Sequence, residues 1–116
     1  MYRDLKIYLD DMIQSIDKIF EYTKNISFNE FKNSSLIFDA VVRRLEILGE
    51  AANQIKKSDT DFYQKYPNIE WREIIDFRNI LIHGYFGIIE EIVWNVIQNK
   101  LQTLQDNLKA IYENSN

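Results

Sequence analysis

The sequence predicts an all-α protein, an antiparallel four-helix bundle with short extra helical connectors. Three observations lead there. Only three Gly and one Pro occur in 116 residues, which leaves few places for sharp turns. The apolar residues recur at spacings of three and four, the period of one helix face. A hydrophobic share of 46% beside 28% charged residues is that of an ordinary globular chain, and the length suits one domain over residues 1–116.

The first helix carries Leu5, Leu9, Met12, Ile13, Ile16, Ile19 and Phe20 on one face, with Lys6, Asp10, Asp17 and Lys18 facing out. The stretch 25–33 breaks the pattern and offers Ser27 and Asn33 as caps. A second helix, about 34–56, is apolar over a wider arc. Leu36, Ile37, Ala40, Val41, Leu45, Leu48, Ala52 and Ile55 form its main stripe, and Phe38, Val42 and Ile47 a second. Gly49, Ala51 and Ala52 make a patch where another backbone can approach closely. Glycine inside a helix costs about 1 kcal/mol relative to alanine, so close packing is the expected compensation.

A short helical connector over 59–66 is stopped by Pro67. The third long helix runs from Ile69 or Trp71 to His83, with Gly84 and Gly87 punctuating its end. The last helix starts near Glu90 and places Val93, Ile97, Leu101, Leu104, Leu108 and Ile111 at near-heptad spacing. Glu90 and Glu91 sit at its N-terminus, where the helix dipole favours acids. Trp71 and Trp94 read as core or interface anchors rather than base-stacking platforms.

Composition narrows the chemistry. With no Cys, the chain has no disulfide, no thiolate nucleophile and no Cys-based metal site. A single His, His83, excludes a His-rich metal cluster within one chain, so neither metal nor other cofactor is expected. The 18 acids against 14 Lys and Arg give a formal charge of −4, which argues against a wholly basic nucleic-acid coat but leaves room for a local basic site. No targeting peptide or membrane span is read, so the expected location is the cytoplasm, away from membranes.

One stretch departs from bundle logic: Asp76-Phe77-Arg78-Asn79-Ile80-Leu81-Ile82-His83-Gly84-Tyr85. On a helix, Asn79 and His83 lie about 40° apart and Arg78 and His83 about 140° apart. Asn79 is therefore placed to orient the imidazole, and Gly84 lets the chain turn Tyr85 back over the helix end. A guanidinium holds phosphate oxygens, and an imidazole titrating near neutrality takes or gives the proton of a ribose hydroxyl. Phosphodiester cleavage suits this set. The competing reading is structural: a His favoured by a helix C-terminus and an Arg paired with Asp76 or a neighbouring helix. Spacing alone favours that plainer reading slightly. Arg43, Arg44 and Arg72 either extend an RNA-binding surface or are solvated helix charges. Glu46 and Glu50 lie four apart on one face, a weak sign of a carboxylate site; Glu50 can instead face Arg78 across the bundle.

The pattern Arg78-Asn79-x-x-x-His83-x-Tyr85 resembles the signature of the HEPN superfamily, specifically the HepT-like toxins. The likeness extends to Val42-Arg43-Arg44-Leu45-Glu46-Ile47-Leu48-Gly49-Glu50-Ala51-Ala52 in the second helix and to the approach Tyr66-Pro67-Asn68-Ile69-Glu70-Trp71-Arg72. It continues through His83-Gly84-Tyr85-Phe86-Gly87 and Glu91-Ile92-Val93-Trp94, and so covers nearly the whole chain as a single HEPN domain. Ile88-Ile89 stands where many relatives carry an acid, which bears on a cap rather than on chemistry.

The resemblance implies a toxin with metal-independent endoribonuclease activity on RNA. Arg78 and His83 would form the catalytic pair, with Asn79 in support. Its partner would be an MntA-like nucleotidyltransferase antitoxin that modifies Tyr85 with AMP. The alternative is a non-catalytic HEPN module that binds a nucleotide and acts through such a partner. A homodimer is expected, from the resemblance and the wide apolar arc of the second helix. One His cannot accept and donate a proton at once. Either His83 alternates, or Tyr85 or Arg78 helps, or a dimer brings two copies of His83 to one cleft, which is the favoured arrangement.

Overall fold

The computed structural model describes residues 3–84 and 90–114, with side chains from Leu5 onward. Among these residues there are seven helices and no strand: α1 (Arg3–Thr23), α2 (Phe28–Lys32), α3 (Ser35–Ser58), α4 (Thr60–Lys65), α5 (Trp71–Ile82), α6 (Glu90–Asn99) and α7 (Leu101–Glu113). The all-α expectation holds. No described helix is long and apolar enough to cross a membrane.

The stripe on α1 is the centre of the core: Leu9, Met12, Ile16 and Ile19 are fully buried. α1 packs on α3 and α7, α3 packs on α5, and α6 packs on α7 and α2. The α1 and α7 axes run antiparallel, because Lys6 sits over the Tyr112 ring while Gln105 reaches Ile13 and Asp17. The Gln105 amide is buried but satisfied, donating to the Ile13 carbonyl at 3.2 Å and the Asp17 carboxylate at 2.7 Å.

Three local expectations are corrected. The stretch 25–33 is not merely a break: it contains α2, closed by a reciprocal box in which Ser27 caps Glu30 and Glu30 caps Ser27. Asn33 ends α2, and Ser34 caps α3 by accepting from the Ile37 amide. α2 exists to bury Phe31, whose ring meets Phe38 at 5.7 Å and Trp94 at 5.1 Å. Leu36, assigned to the main stripe of α3, is 80% exposed in the first turn, ahead of Val41, the first fully buried position. The last helix is divided at Lys100, where φ is −123° although hydrogen bonds from Lys100 to Val96 and from Leu104 to Lys100 span the break. The two halves serve different neighbours: α6 carries Trp94 to α2, and α7 lies along α1.

The connector and the third long helix follow the sequence closely. Asp59 ends α3 and caps α4 through the Phe62 amide at 3.0 Å. Trp71 opens α5 as a buried anchor against Phe62 and Tyr63, its indole N–H donating to the Tyr66 carbonyl. Between α5 and the α6–α7 pair a groove of about 420 Å³ remains, floored by Leu48, Ile74, Phe77, Val96 and Leu104 and spanned by Lys100–Glu70 at 3.6 Å.

The expected close approach occurs at Gly49. A Cβ built there would stand 2.1 Å from Arg78 Cβ and 3.2 Å from the Ile74 carbonyl. That is a steric exclusion of every side chain. Gly49→Ala is therefore expected to lose about 1–3 kcal/mol in urea unfolding through overpacking, even though alanine favours the helix by about 1 kcal/mol. A more stable variant would show that the two helices do not meet here.

Candidate active site

α5 is amphipathic, burying Trp71, Ile75 and Leu81. This phase sets Arg78 toward α3 and leaves His83 at the exposed end of the helix. His83 is the C-cap residue, its backbone N–H donating to the Asn79 carbonyl at 3.1 Å. Gly84 then takes φ +61°, the left-handed conformation that a residue just past a helix end commonly adopts. Among the described residues no atom lies within 4 Å of a Cβ added there, and the positive φ itself favours glycine at this position. Tyr85, Phe86, Gly87 and Ile88-Ile89 lie outside the described residues, as does the proposed return of Tyr85 over the helix end.

Arg78 is fixed from three directions. Its stem lies against Gly49. One terminal nitrogen, Nη2, donates to Glu50 Oε2 in an ion pair between α3 and α5. The other, Nη1, donates to Asn79 Oδ1 at 2.9 Å. Nε is buried without a hydrogen-bond partner among the described residues. The side chain keeps 24% of its surface exposed, and each terminal nitrogen retains a second N–H.

Asn79 also engages the arginine directly. Its side-chain carbonyl steadies the guanidinium, and its backbone carbonyl holds the His83 amide. Of the two partners foreseen for Arg78, the neighbouring helix is correct and Asp76 is not; Asp76 lies 3.8 Å from Arg72 in a solvated pair.

Sequence reasoning undervalued Glu50. Its carboxylate accepts from Arg78 on Oε2 and from Gln54 Nε2 on Oε1, the latter at 3.0 Å. The readable signal was a glycine inside a helix directly before a carboxylate. Beside this pair opens a cleft of about 290 Å³, lined also by Tyr8 and Asp11 of α1, Arg43 and Glu46 of α3, and Ile82 of α5. Arg43 is exposed there, whereas Arg72 projects into solvent elsewhere on α5. Neither the Tyr8 nor the Asp11 contribution has a local motif, because α1 reaches the cleft only through tertiary packing.

Partial desolvation pushes the carboxyl of Asp11, which stays largely exposed, above its usual value of 3.8, with the Asp10 charge adding to the effect. The folded chain therefore holds this proton more tightly than the unfolded chain, and stability falls as pH rises through the range where Asp11 ionises. Asp11→Asn is expected to raise the thermal midpoint at pH 7, and the advantage is expected to vanish below pH 3.8. An advantage independent of pH would assign the gain to another cause.

Comparison with known proteins places this geometry in a family. The family model described as Ribonuclease HepT-like matches residues 12–111. A Methanocaldococcus jannaschii protein, provisionally named an RNase, is 39% identical over 94% of this chain and 97% of its own length. A Thermococcus cleftensis protein named probable ribonuclease HepT is 35% identical over 96% of this chain and 98% of its own. A second M. jannaschii protein, named gamma-glutamylcyclotransferase and provisionally RNase, is 40% identical over 97% of this chain but 50% of its own length. No solved structure matches. With the family model spanning most of the chain and full-length relatives above 30% identity, this protein belongs to the HepT-like ribonuclease family of HEPN proteins.

Proposed function

We propose that the chain is a metal-independent endoribonuclease in which Arg78 and His83 are the catalytic pair and Asn79 supports them. The observation that carries this reading is the anchored but partly open guanidinium of Arg78, set five residues before an exposed His83 at the end of the same helix. Arg78 holds the scissile phosphate through its outward N–H groups, and His83 handles protons at the ribose or leaving oxygen. Asn79 keeps the guanidinium in the plane that phosphate recognition requires.

In the cell the activity is that of a toxin in a HepT/MntA-type pair. Tyr85, two residues past His83, is the site to which an MntA-like nucleotidyltransferase adds AMP. The added phosphate brings negative charge next to the motif and competes with RNA for Arg78. The active form is a homodimer. Ile80, 46% exposed on α5 and one turn before His83 on the same face, is the apolar position that a second copy would cover, bringing two His83 side chains to one cleft.

A second reading draws on the Glu50–Arg78 ion pair. If that pair persists with ligand bound, Arg78 is a structural cation and the protein acts through its nucleotidyltransferase partner without cutting RNA.

RNA cleavage by purified protein in EDTA separates the readings. Wild type is expected to cut, and Arg78→Ala and His83→Ala to lose at least about 100-fold in rate with the helical fold retained. Equal cutting by all three proteins ends the catalytic reading. For Tyr85, intact mass after incubation with the nucleotidyltransferase and ATP is expected to rise by AMP units in wild type and stay constant in Tyr85→Phe. A rise in both moves the modification to another residue.

A further inference from the structure

A ribonuclease that uses the 2′-hydroxyl of its substrate needs a proton acceptor on one side of the phosphorus and a donor on the other. This chain has one histidine. Beside Arg78, however, stands a carboxylate at a different position from the imidazole. Glu50 comes from α3, whereas His83 lies about 7.5 Å further along α5 and about 140° around it from Arg78. The guanidinium thus has a carboxylate against it and an imidazole further along the same helix.

We propose that Glu50 is the general base of this site and His83 the general acid. The inference rests on the ribonuclease reading above. Several observations support it. Glu50 keeps 43% of its side-chain surface exposed, against 24% for Arg78, so its carboxylate is open to a substrate hydroxyl. It shares the 290 Å³ cleft with Arg78, which leaves room for a ribose between α1 and α3. Its two oxygens take one donor each, from Arg78 and Gln54, and a carboxylate offers about four acceptor positions, so lone pairs remain for a hydroxyl. Gln54 and Arg78 fix the carboxylate plane, which spares the transition state that ordering cost.

The guanidinium sets the reach. A phosphate on the free N–H groups of Arg78 and a carboxylate on the same guanidinium are neighbours across one planar group. The 2′-oxygen attacks from about 3–3.5 Å of the phosphorus, on the side where Glu50 lies. Glu50 takes the 2′-hydroxyl proton as the 2′-oxygen bonds to phosphorus. The bond from phosphorus to the 5′-oxygen breaks, and that oxygen receives a proton from the His83 imidazolium. The products are a 2′,3′-cyclic phosphate and a 5′-hydroxyl, and exchange with water returns Glu50 to carboxylate and His83 to imidazolium. Arg78 neutralises the phosphorane charge between them.

The test uses full-length protein in EDTA. Glu50→Gln keeps an oxygen for Arg78 to donate to and removes the base. It is expected to cut a short RNA at least about 100-fold more slowly than wild type while binding a 2′-O-methyl copy of that RNA within about twofold. Glu50→Asp, which keeps the charge beside Arg78, is expected to retain at least tenfold more activity than Glu50→Gln. An RNA with sulfur in place of the scissile 5′-oxygen carries a leaving group that needs no proton. It is expected to restore His83→Ala and to leave Glu50→Gln slow. Cutting by Glu50→Gln at near the wild-type rate, an Asp variant no better than the Gln variant, or rescue of Glu50→Gln by the sulfur substrate would overturn the assignment. Failure of wild type to cut removes the ribonuclease reading itself, whereas cutting by wild type and Glu50→Gln alike removes only the base.

Discussion

The site depends on one steric fact: α3 and α5 touch at Gly49, where no Cβ fits against Arg78 and the Ile74 carbonyl. This contact sets how far the motif helix stands from the body of the bundle. It places the adjacent Glu50 carboxylate on the guanidinium and, through the phase of α5, leaves His83 at the helix end. A larger residue at position 49 would push α5 outward and break the pairing that holds Arg78. The conformational cost of glycine inside a long helix is thereby offset by a functional geometry as well as by packing.

The charge distribution follows the same logic. Three carboxylates, Asp11, Glu46 and Glu50, share a cleft with Arg43 and Arg78 in a chain whose net charge is −4. Such a cleft is a poor general anion trap. It is suited to binding phosphate at one point, the edge of Arg78, while carboxylates nearby meet hydroxyl or amino donors. RNA offers both chemistries on each nucleotide, and the 2′-hydroxyl is the group that distinguishes it from DNA. A dimer with two copies of His83 and a chain with its own carboxylate base are compatible arrangements. In each, the single histidine of the chain is spared from doing two proton transfers at once.

Much of the fold was legible because helix periodicity is a local signal. The α1 stripe is buried as read from Leu5 to Ile19, with Phe20 half-buried, Trp71 and Trp94 are anchors, and Asp59, Pro67 and Gly84 fall at element ends. The errors arise where tertiary partners decide. Leu36 fits the period of α3 and remains in solvent. A uniform apolar spacing gives no sign of the change at Lys100, because both halves keep an inner face and only their neighbours differ. α2 was hidden by its length, although its capping box, Ser27 and Glu30, is a readable pattern. At the site, the spacing of Arg78, Asn79 and His83 was plain from one helix. The place of Glu50 depends on a contact between two helices that joins residues 28 positions apart, so sequence presents it only as one acid among many.

The central claim, that α3 holds Arg78 in a fixed orientation for phosphate, is tested most directly by nitrogen-15 NMR of the arginine side chains in the free protein. Arg72 is the internal reference, since it is 84% exposed and only loosely paired with Asp76. Arg78 is expected to show a slowly rotating guanidinium and a slowly exchanging Nε–H, against fast averaging at Arg72. An Arg78 side chain as mobile as that of Arg72 would contradict it.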